Sequence, residues 1–559
     1  MIRTLRTYLA KELLKATLLA TAAFTLVMTV FAVIEPLRKE GVSPYQAFKL
    51  FGYITPVMFS LTLPVAALFG ATIVYGRFSR DNELMACRAS GISTLSLLAP
   101  AIWLGAIVSV ITLVLGFFVA PNLLGASERM IKENLQQIAY NKLMRQQYIK
   151  FRSSDLNLIF HADRVEPKSP WAQGIIILDH SDPENAKCLV AASAKLQFIK
   201  RNGKSLVEFF PTNPTVFQQT GENIGLAEQV PFRRGELPTI KDKPKFYDWN
   251  KLYLMLKHPE NHPRIARKIT QIQHEICFDN LYIDIVRQIK SHGRYELTEL
   301  PANSTEQPSS KVVIQAGRAR IEKARAVRLL PAPEPTTHVG TTSPGSEKGH
   351  NRILITQYDN GRVKRRIWAE SALVKGLWDK FHASMAVVIS LQELTILPSG
   401  EQLENARRQK KCDLGPFAMP ERVLSSSRRP DPETIEQLRT SPSKRIRKLT
   451  RHLFGSAIPK LKRKIWAEIH QRLAYSISCL LMVMLGAVLG ILFRGGEVLT
   501  AFAISILPSS AVIIMIIMGK QLMTNVNIPS MAYGVAVIWT GIAALTGVTS
   551  YFYAGPMRR

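Results

Sequence analysis

Leu473-Ala-Tyr-Ser-Ile-Ser-Cys-Leu-Leu-Met-Val-Met-Leu-Gly-Ala-Val-Leu-Gly-Ile-Leu-Phe493 contains no charged side chain. About 20 such residues, at ~1.5 Å of helical rise each, cross a hydrocarbon core of roughly 30 Å. Five more runs are similar in length and nearly free of charge: residues 13–34, 53–75, 95–120, 499–518 and 531–553. Buried helices of a soluble domain would rarely repeat such length and purity six times. The expected fold is therefore membrane α-helical, with six spans arranged three plus three. It divides the chain at residues 1–126, 127–465 and 466–559, and the middle part is polar and water-facing.

A mean hydropathy of +0.05 averages a lipid-soluble half with a polar half. With 559 residues, each half is long enough to have its own core. Arg3, Arg6, Lys11 and Lys15 ahead of an apolar run imitate a signal peptide. That run is too long for one and more spans follow, so the reading is a retained first helix. Cys87, Cys188, Cys277, Cys412 and Cys479 lack paired spacing, so neither a disulfide framework nor a metal site is expected.

The formal net charge is +30, and nine Lys or Arg with no Asp or Glu fall within residues 444–464. Such a run beside a span reads as a membrane-proximal linker favouring anionic head groups. Nucleic acid is the other polyanion to weigh. Phe454 is the only aromatic there before the span, and no nucleic-acid partner is expected. Six spans put both termini on one side. The basic N-terminal arm, the 77–88 loop and Arg558–Arg559 favour the cytoplasm, while Arg38, Lys39 and Lys49 in the opposite loop weaken that count.

The insert opens with a helix-like stretch, 127–144, followed by short alternating segments at 148–151, 156–161, 174–178, 187–191, 195–199 and 205–210. A second series covers 312–316, 319–322, 352–357, 363–369 and 385–391. Both read as antiparallel sheet, either a duplication or two halves of one β-domain. Residues 264–289 read as helix. Residues 331–350 and 399–443, rich in turn formers, read as disordered loops.

Between the second and third spans stands Glu83-Leu-Met-Ala-Cys-Arg-Ala-Ser-Gly-Ile-Ser93. It reads as a short amphipathic helix, about 80–91, with Asp81 as N-cap, Gly91 at C′, and Ser93 capping the next span. Leu84, Met85 and Arg88 are spaced to share a face. A helix in that position suits force transfer from a partner, and equally suits a well-capped connector.

This run resembles the signature of the LptF/LptG (YjgP/YjgQ) permeases, membrane subunits of the lipopolysaccharide exporter. Glu468-Ile-His-Gln-Arg-Leu-Ala474, on the approach to the fourth span, and a Gly-rich span ending at Arg494-Gly-Gly carry the likeness further. The resemblance implies a bacterial inner-membrane permease with cytoplasmic termini and a periplasmic, jellyroll-like β-rich insert. It also implies an ABC ATPase dimer, a paralogous permease subunit, a periplasmic bridge protein and lipopolysaccharide as partners. Carried over, Glu83 becomes the coupling carboxylate, with Leu84, Arg88 and Gly91 shaping the helix. Glu468 and Arg472 mark the fourth span. The insert is far longer than the family pattern, and residues 238–304 and 399–464 have no counterpart.

Gly486-x-x-x-Gly490 and Ala66-x-x-x-Gly70 read as helix-packing sites. Arg38 and Lys39 suit either lipid phosphates or interfacial anchoring. The sequence contains no phosphate-loop, zinc-protease or nucleophile-elbow motif, and no ionisable group inside a span poised as a proton relay. Neither catalytic residues nor a cofactor are expected. The alternative function is a non-transporting sensor or scaffold displaying an extracytoplasmic recognition domain.

Overall fold

The computed structural model describes residues 2–40, 44–133, 147–153, 156–165, 171–179, 187–201, 204–212, 215–218, 223–225, 234–236, 243–299, 310–322, 326–331, 352–359, 361–379, 384–398, 407–425, 432–493, 498–525, 527–528 and 530–554. Helices α1 (Ile2–Glu40), α2 (Pro44–Arg80), α3 (Glu83–Ala89) and α4 (Thr94–Val114) come first. A π-helical turn, Leu115–Val119, joins α4 to α5 (Ala120–Glu133). Strands β1 (Tyr148–Ser153), β2 (Leu156–Val165), β3 (Trp171–Asp179), β4 (Lys187–Arg201), β5 (Lys204–Thr212), β6 (Thr215–Gln218), β7 (Asn223–Gly225) and β8 (Arg234–Glu236) follow, then α6 (Trp249–Lys257) and α7 (Pro263–His292). Next come β9 (Arg294–Thr298), β10 (Ser310–Gln315), β11 (Arg318–Glu322), β12 (Ala326–Leu330), β13 (Ile353–Asp359), β14 (Arg362–Asp379), β15 (Ser384–Pro398) and β16 (Arg407–Ala418). The chain closes with α8 (Glu421–Ser425), α9 (Pro432–Gln437), α10 (Lys444–His452), α11 (Ile458–Leu492), α12 (Val498–Thr524) and α13 (Ala532–Ala554).

Six of these helical stretches are long and apolar enough to cross a membrane. The chain divides into two compact units, Met1–Lys257 with Lys460–Arg559, and His258–Pro459. In the first, the apolar windows of α2 and α11 are 67% buried, against 22–33% for the spans of α1, α4–α5, α12 and α13. The former pair is central. The others turn apolar side chains such as Leu19, Phe31, Trp103 and Leu507 outward, as lipid-facing helices do.

Small residues bring the central pair together. A Cβ on Gly486 would lie 2.7 Å from the Leu68 carbonyl oxygen, and one on Gly490 would lie 2.9 Å from that of Thr72. The Ser79 hydroxyl donates to the Ile491 carbonyl at 2.9 Å, and Tyr475 donates to that of Leu61 at 2.6 Å. Gly70 meets α1 the same way, with Thr17 in the space of its missing Cβ. Overpacking a tight contact costs about 1–3 kcal/mol or more. Gly490→Leu is therefore expected to lower the thermal midpoint of the detergent-solubilised chain. Gly547→Leu, where no atom of the described residues lies within 4 Å of the added Cβ, is expected to leave it unchanged.

The first unit also carries one antiparallel sheet, ordered β1-β2-β3-β4-β5-β8, with β6 on β4 and β7 on β6. Segments 187–191 and 195–199, expected as separate strands, are one strand, β4. Pairing runs through the small residues between them, with Ala191 opposite Ile175 and Ser193 opposite Gln173.

The second unit holds the other sheet, ordered β11-β12-β14-β13-β10-β9, with β15 bridging β14 and β16. Thus the two alternating series build separate sheets. Residues 407–418, expected inside a loop, form β16, which pairs along β15 from Ala386–Ala418 to Ile396–Arg407. Its Lys- and Arg-rich first half hid the strand from hydropathy reading. The basic run begins as a helix: α10 buries Ile446 and Thr450 and turns Lys444, Arg445, Lys448 and Arg451 outward. The expected loop at 332–350 lies outside the described residues.

Helix α7 lies on the apolar face of this sheet. It is capped by His262, whose ring nitrogen accepts from the Arg264 N–H, and by left-handed Gly293 at φ 63°. Cys277, Phe278, Leu281, Tyr282, Ile285 and Ile289 enter one core with Leu297, Ile314, Leu329, Ile355, Ile367 and Ile389. Gly376 leaves the space that the Phe278 ring fills, and its N–H donates to the Tyr282 hydroxyl at 3.2 Å. At about 1.5–3 kcal/mol per buried large side chain, this contact is worth on the order of 10 kcal/mol. Among the described residues, α7 packs against the apolar side of the second sheet.

Candidate functional site

Helix α3 is held by its C-terminal end. The Ile92 N–H donates to the Cys87 carbonyl at 3.1 Å and the Gly91 N–H to that of Arg88 at 2.9 Å. With Gly91 at φ 78°, this is a Schellman closure, and buried Ile92 completes it. Leu84 is fully buried in the core of the first unit, beside Tyr75, Phe78 and Leu97. Asp81 is not the N-cap. Asn82 holds that position at φ 60°, without a side-chain capping bond, because an Asn tolerates the left-handed backbone needed to leave α2. Asp81 instead pairs with Arg80 at 3.5 Å. Ser93 stands at the N-cap of α4, also without a side-chain capping bond.

Met85 does not share the inward face. Leu84, Cys87 and Arg88 turn toward the helices, while Glu83, Met85, Ala86 and Ala89 are exposed. Glu83 has no ion pair among the described residues. Burial, and then the Glu83 carboxylate, raises the Cys87 thiol above its usual value. The external face of α3 thus presents an acidic residue at its N-terminal end and small or flexible residues after it.

At the other end of the same helices, α2, α4–α5, α11 and α12 enclose a cavity of about 450 Å³. Its wall is mostly apolar, with Val65, Leu124, Ile513 and Ile517 among its residues, and its polar rim holds Lys245, Glu468, Arg472 and Lys520. The Lys520 Nζ lies 2.7 Å from Glu468 Oε1, and the Arg472 guanidinium 3.8 Å from Glu468 Oε2. Arg472 also donates to the carbonyls of Tyr247 at 2.8 Å and Lys245 at 3.2 Å, and stacks over Phe117. Lys245 pairs with Glu128 at 3.3 Å. Glu468 is only 8% exposed, and its charge is held by cations from two helices, as burial demands.

The carboxylate and guanidinium singled out in the sequence are therefore together, one turn apart on α11. Lys520 and Lys245 were missed. The apolar run ends at residue 518, two residues short of Lys520; α12 continues through it. A lysine inside a spanning helix is the signal that marks such a site. The side chains of Arg38 and Lys39, and the Arg494-Gly-Gly turn, lie outside the described residues.

Six helices long and apolar enough to span, bracketing a β-rich insert in the sequence, define a polytopic membrane protein. Residues 7–232 and 332–553 match the family described as Lipopolysaccharide export system permease LptF/LptG. The chain belongs to this family. It is a transporter subunit rather than an enzyme of the usual kind. No curated relative matches the chain. The unmatched stretch between the two segments carries β8, α6, α7 and β9 to β12, while residues 399–464, expected to have no counterpart in the family, lie within the matched segment.

Proposed function

We propose that this chain is the permease subunit of an ABC-type exporter that lifts lipopolysaccharide out of the bacterial inner membrane and passes it to a periplasmic β-jellyroll bridge. Its termini and α3 face the cytoplasm, where a separate ATPase dimer docks on α3, and a paralogous permease completes the membrane part. The observation that carries this reading is the cavity: apolar walls for acyl chains, with Arg472, Lys520 and Lys245 at the rim for a phosphorylated head group. Arg forks and Lys ammonium groups bind phosphate through charge-assisted hydrogen bonds. Glu83 supplies the contact to the ATPase, and its movement is transmitted by α2 and α4 through Leu84 and Ile92.

Because α7 covers the apolar face of the second sheet, no acyl path runs between them. A photo-crosslinking residue at Ile517 is expected to capture lipopolysaccharide in native membranes, and one at Met85 is not. Equal labelling at both positions, or none at Ile517, would count against the cavity. Absence of any ATPase from the purified native complex would favour a scaffold that does not transport.

A further inference from the structure

The cavity contains an anion of its own, and its geometry separates two kinds of cation. Arg472 is anchored independently of Glu468, by two backbone carbonyls and the Phe117 ring. Lys520 is held differently: its ammonium reaches Glu468 at 2.7 Å on a flexible stem, with the side chain 28% exposed. Three cations line the cavity, Lys245, Arg472 and Lys520, and three carboxylates act on them: Glu468 on Lys520 and Arg472, Glu128 on Lys245, and Asp248 on Arg472. A phosphate entering this cavity meets cations that are already largely neutralised.

We propose that Glu468 is the site's resident counter-ion, and that a lipid phosphate takes its place at Lys520 when lipid enters. This rests on the reading of the cavity as the head-group site. Arg472 stays fixed and registers the phosphate, while Lys520 swings from carboxylate to phosphate and back. Glu468 thereby sets affinity: it keeps Lys520 positioned and its charge compensated in the empty cavity, and it competes for Lys520 at release. A site without the competing carboxylate binds its anion more tightly and lets it go more slowly. Close buried charge pairs change affinity mainly through the dissociation rate.

The test is equilibrium and stopped-flow binding of lipopolysaccharide, and of the same lipid after dephosphorylation, to the full-length chain in detergent. Glu468→Gln is expected to bind intact lipopolysaccharide about tenfold more tightly, with slower dissociation and slower export. Its affinity for the dephosphorylated lipid is expected to be unchanged. Lys520→Gln is expected to bind intact lipid at least ~tenfold more weakly, and Glu468→Asp to behave as wild type. If Glu468 were a structural staple only, Glu468→Gln and Lys520→Gln would weaken both lipids alike, and the double variant would recover both; that pattern overturns the proposal. If Glu468→Gln fails to fold, loss of the phosphate preference in Lys520→Gln with Glu468→Asp unaltered supports it, and retention of that preference overturns it. Wild-type chain that binds neither lipid at Ile517-proximal sites would instead overturn the cavity reading itself.

Discussion

Glu83→Ala is expected to cut export at least tenfold while leaving the six-helix unit folded. Truncating one partner of a charge-assisted contact at a desolvated interface costs roughly 2 kcal/mol or more. Glu83 is exposed and without an ion pair among the described residues, so its removal takes nothing from the core that Leu84 and Ile92 enter. The measurement is export rate together with ATPase copurification. A second readout reports on α3 itself. The Glu83 carboxylate disfavours the neighbouring thiolate, so its removal lowers the Cys87 pKa, raises the thiolate fraction at a given pH and speeds alkylation. Unchanged export and ATPase recovery would remove Glu83 from the coupling role. Faster alkylation with a normal thermal midpoint would show that α3 itself had survived the substitution.

Leu281→Asp is expected to unfold the second unit. Leu281 is fully buried in the core between α7 and the sheet. Removing a buried leucine costs about 2–5 kcal/mol, and a carboxylate without a partner there adds its desolvation cost. Domain stability is only about 5–15 kcal/mol, so most of the folded population is lost. Limited proteolysis of the full chain checks this: cleavage within residues 258–459 is expected to rise sharply. Ile283→Asp, two residues on but 49% exposed, is the matched control and is expected to resist as wild type does. Resistance of the Leu281 variant would mean that α7 is not a structural member of this core. The apolar face of the second sheet would then be open to lipid.

The membrane half was legible because its solvent is severe. A helix in lipid must satisfy its own backbone and present apolar surface along some 20 residues, and both demands are written locally. The α3 motif was legible for a related reason. Gly91 closes the helix by backbone conformation, and Glu83 and Leu84 alternate between outside and inside within one turn. Finer features at the same place were not. Asn82 rather than Asp81 takes the cap because the exit angle of α2 requires a left-handed residue there, and that angle is tertiary. Met85 turned outward for the same reason: three residues close in sequence do not define a face until something packs on one side.

In the insert, alternation exposed strands whose partners made one face apolar, such as β10 and β13. It failed for β16, whose Lys- and Arg-rich half is stabilised by the backbone ladder to β15 and not by side-chain burial. It also divided β4 at alanines and serines that a neighbouring strand easily accepts. Lys520 escaped because hydropathy averages over a window, while the helix continues as long as its charge has a partner.

By itself, then, the sequence determined the six spans, their three-plus-three bracketing of a β-rich insert, and the capped helix at Glu83. These follow from local composition and from periodicity against a fixed solvent. Only the tertiary structure decided that Glu468, Arg472 and Lys520 share one cavity, and that α7 covers the apolar face of the second sheet. Both depend on which surfaces meet. A charge from α11 finds one from α12, and a ring from α7 finds the space left by Gly376, across separations that no local pattern records.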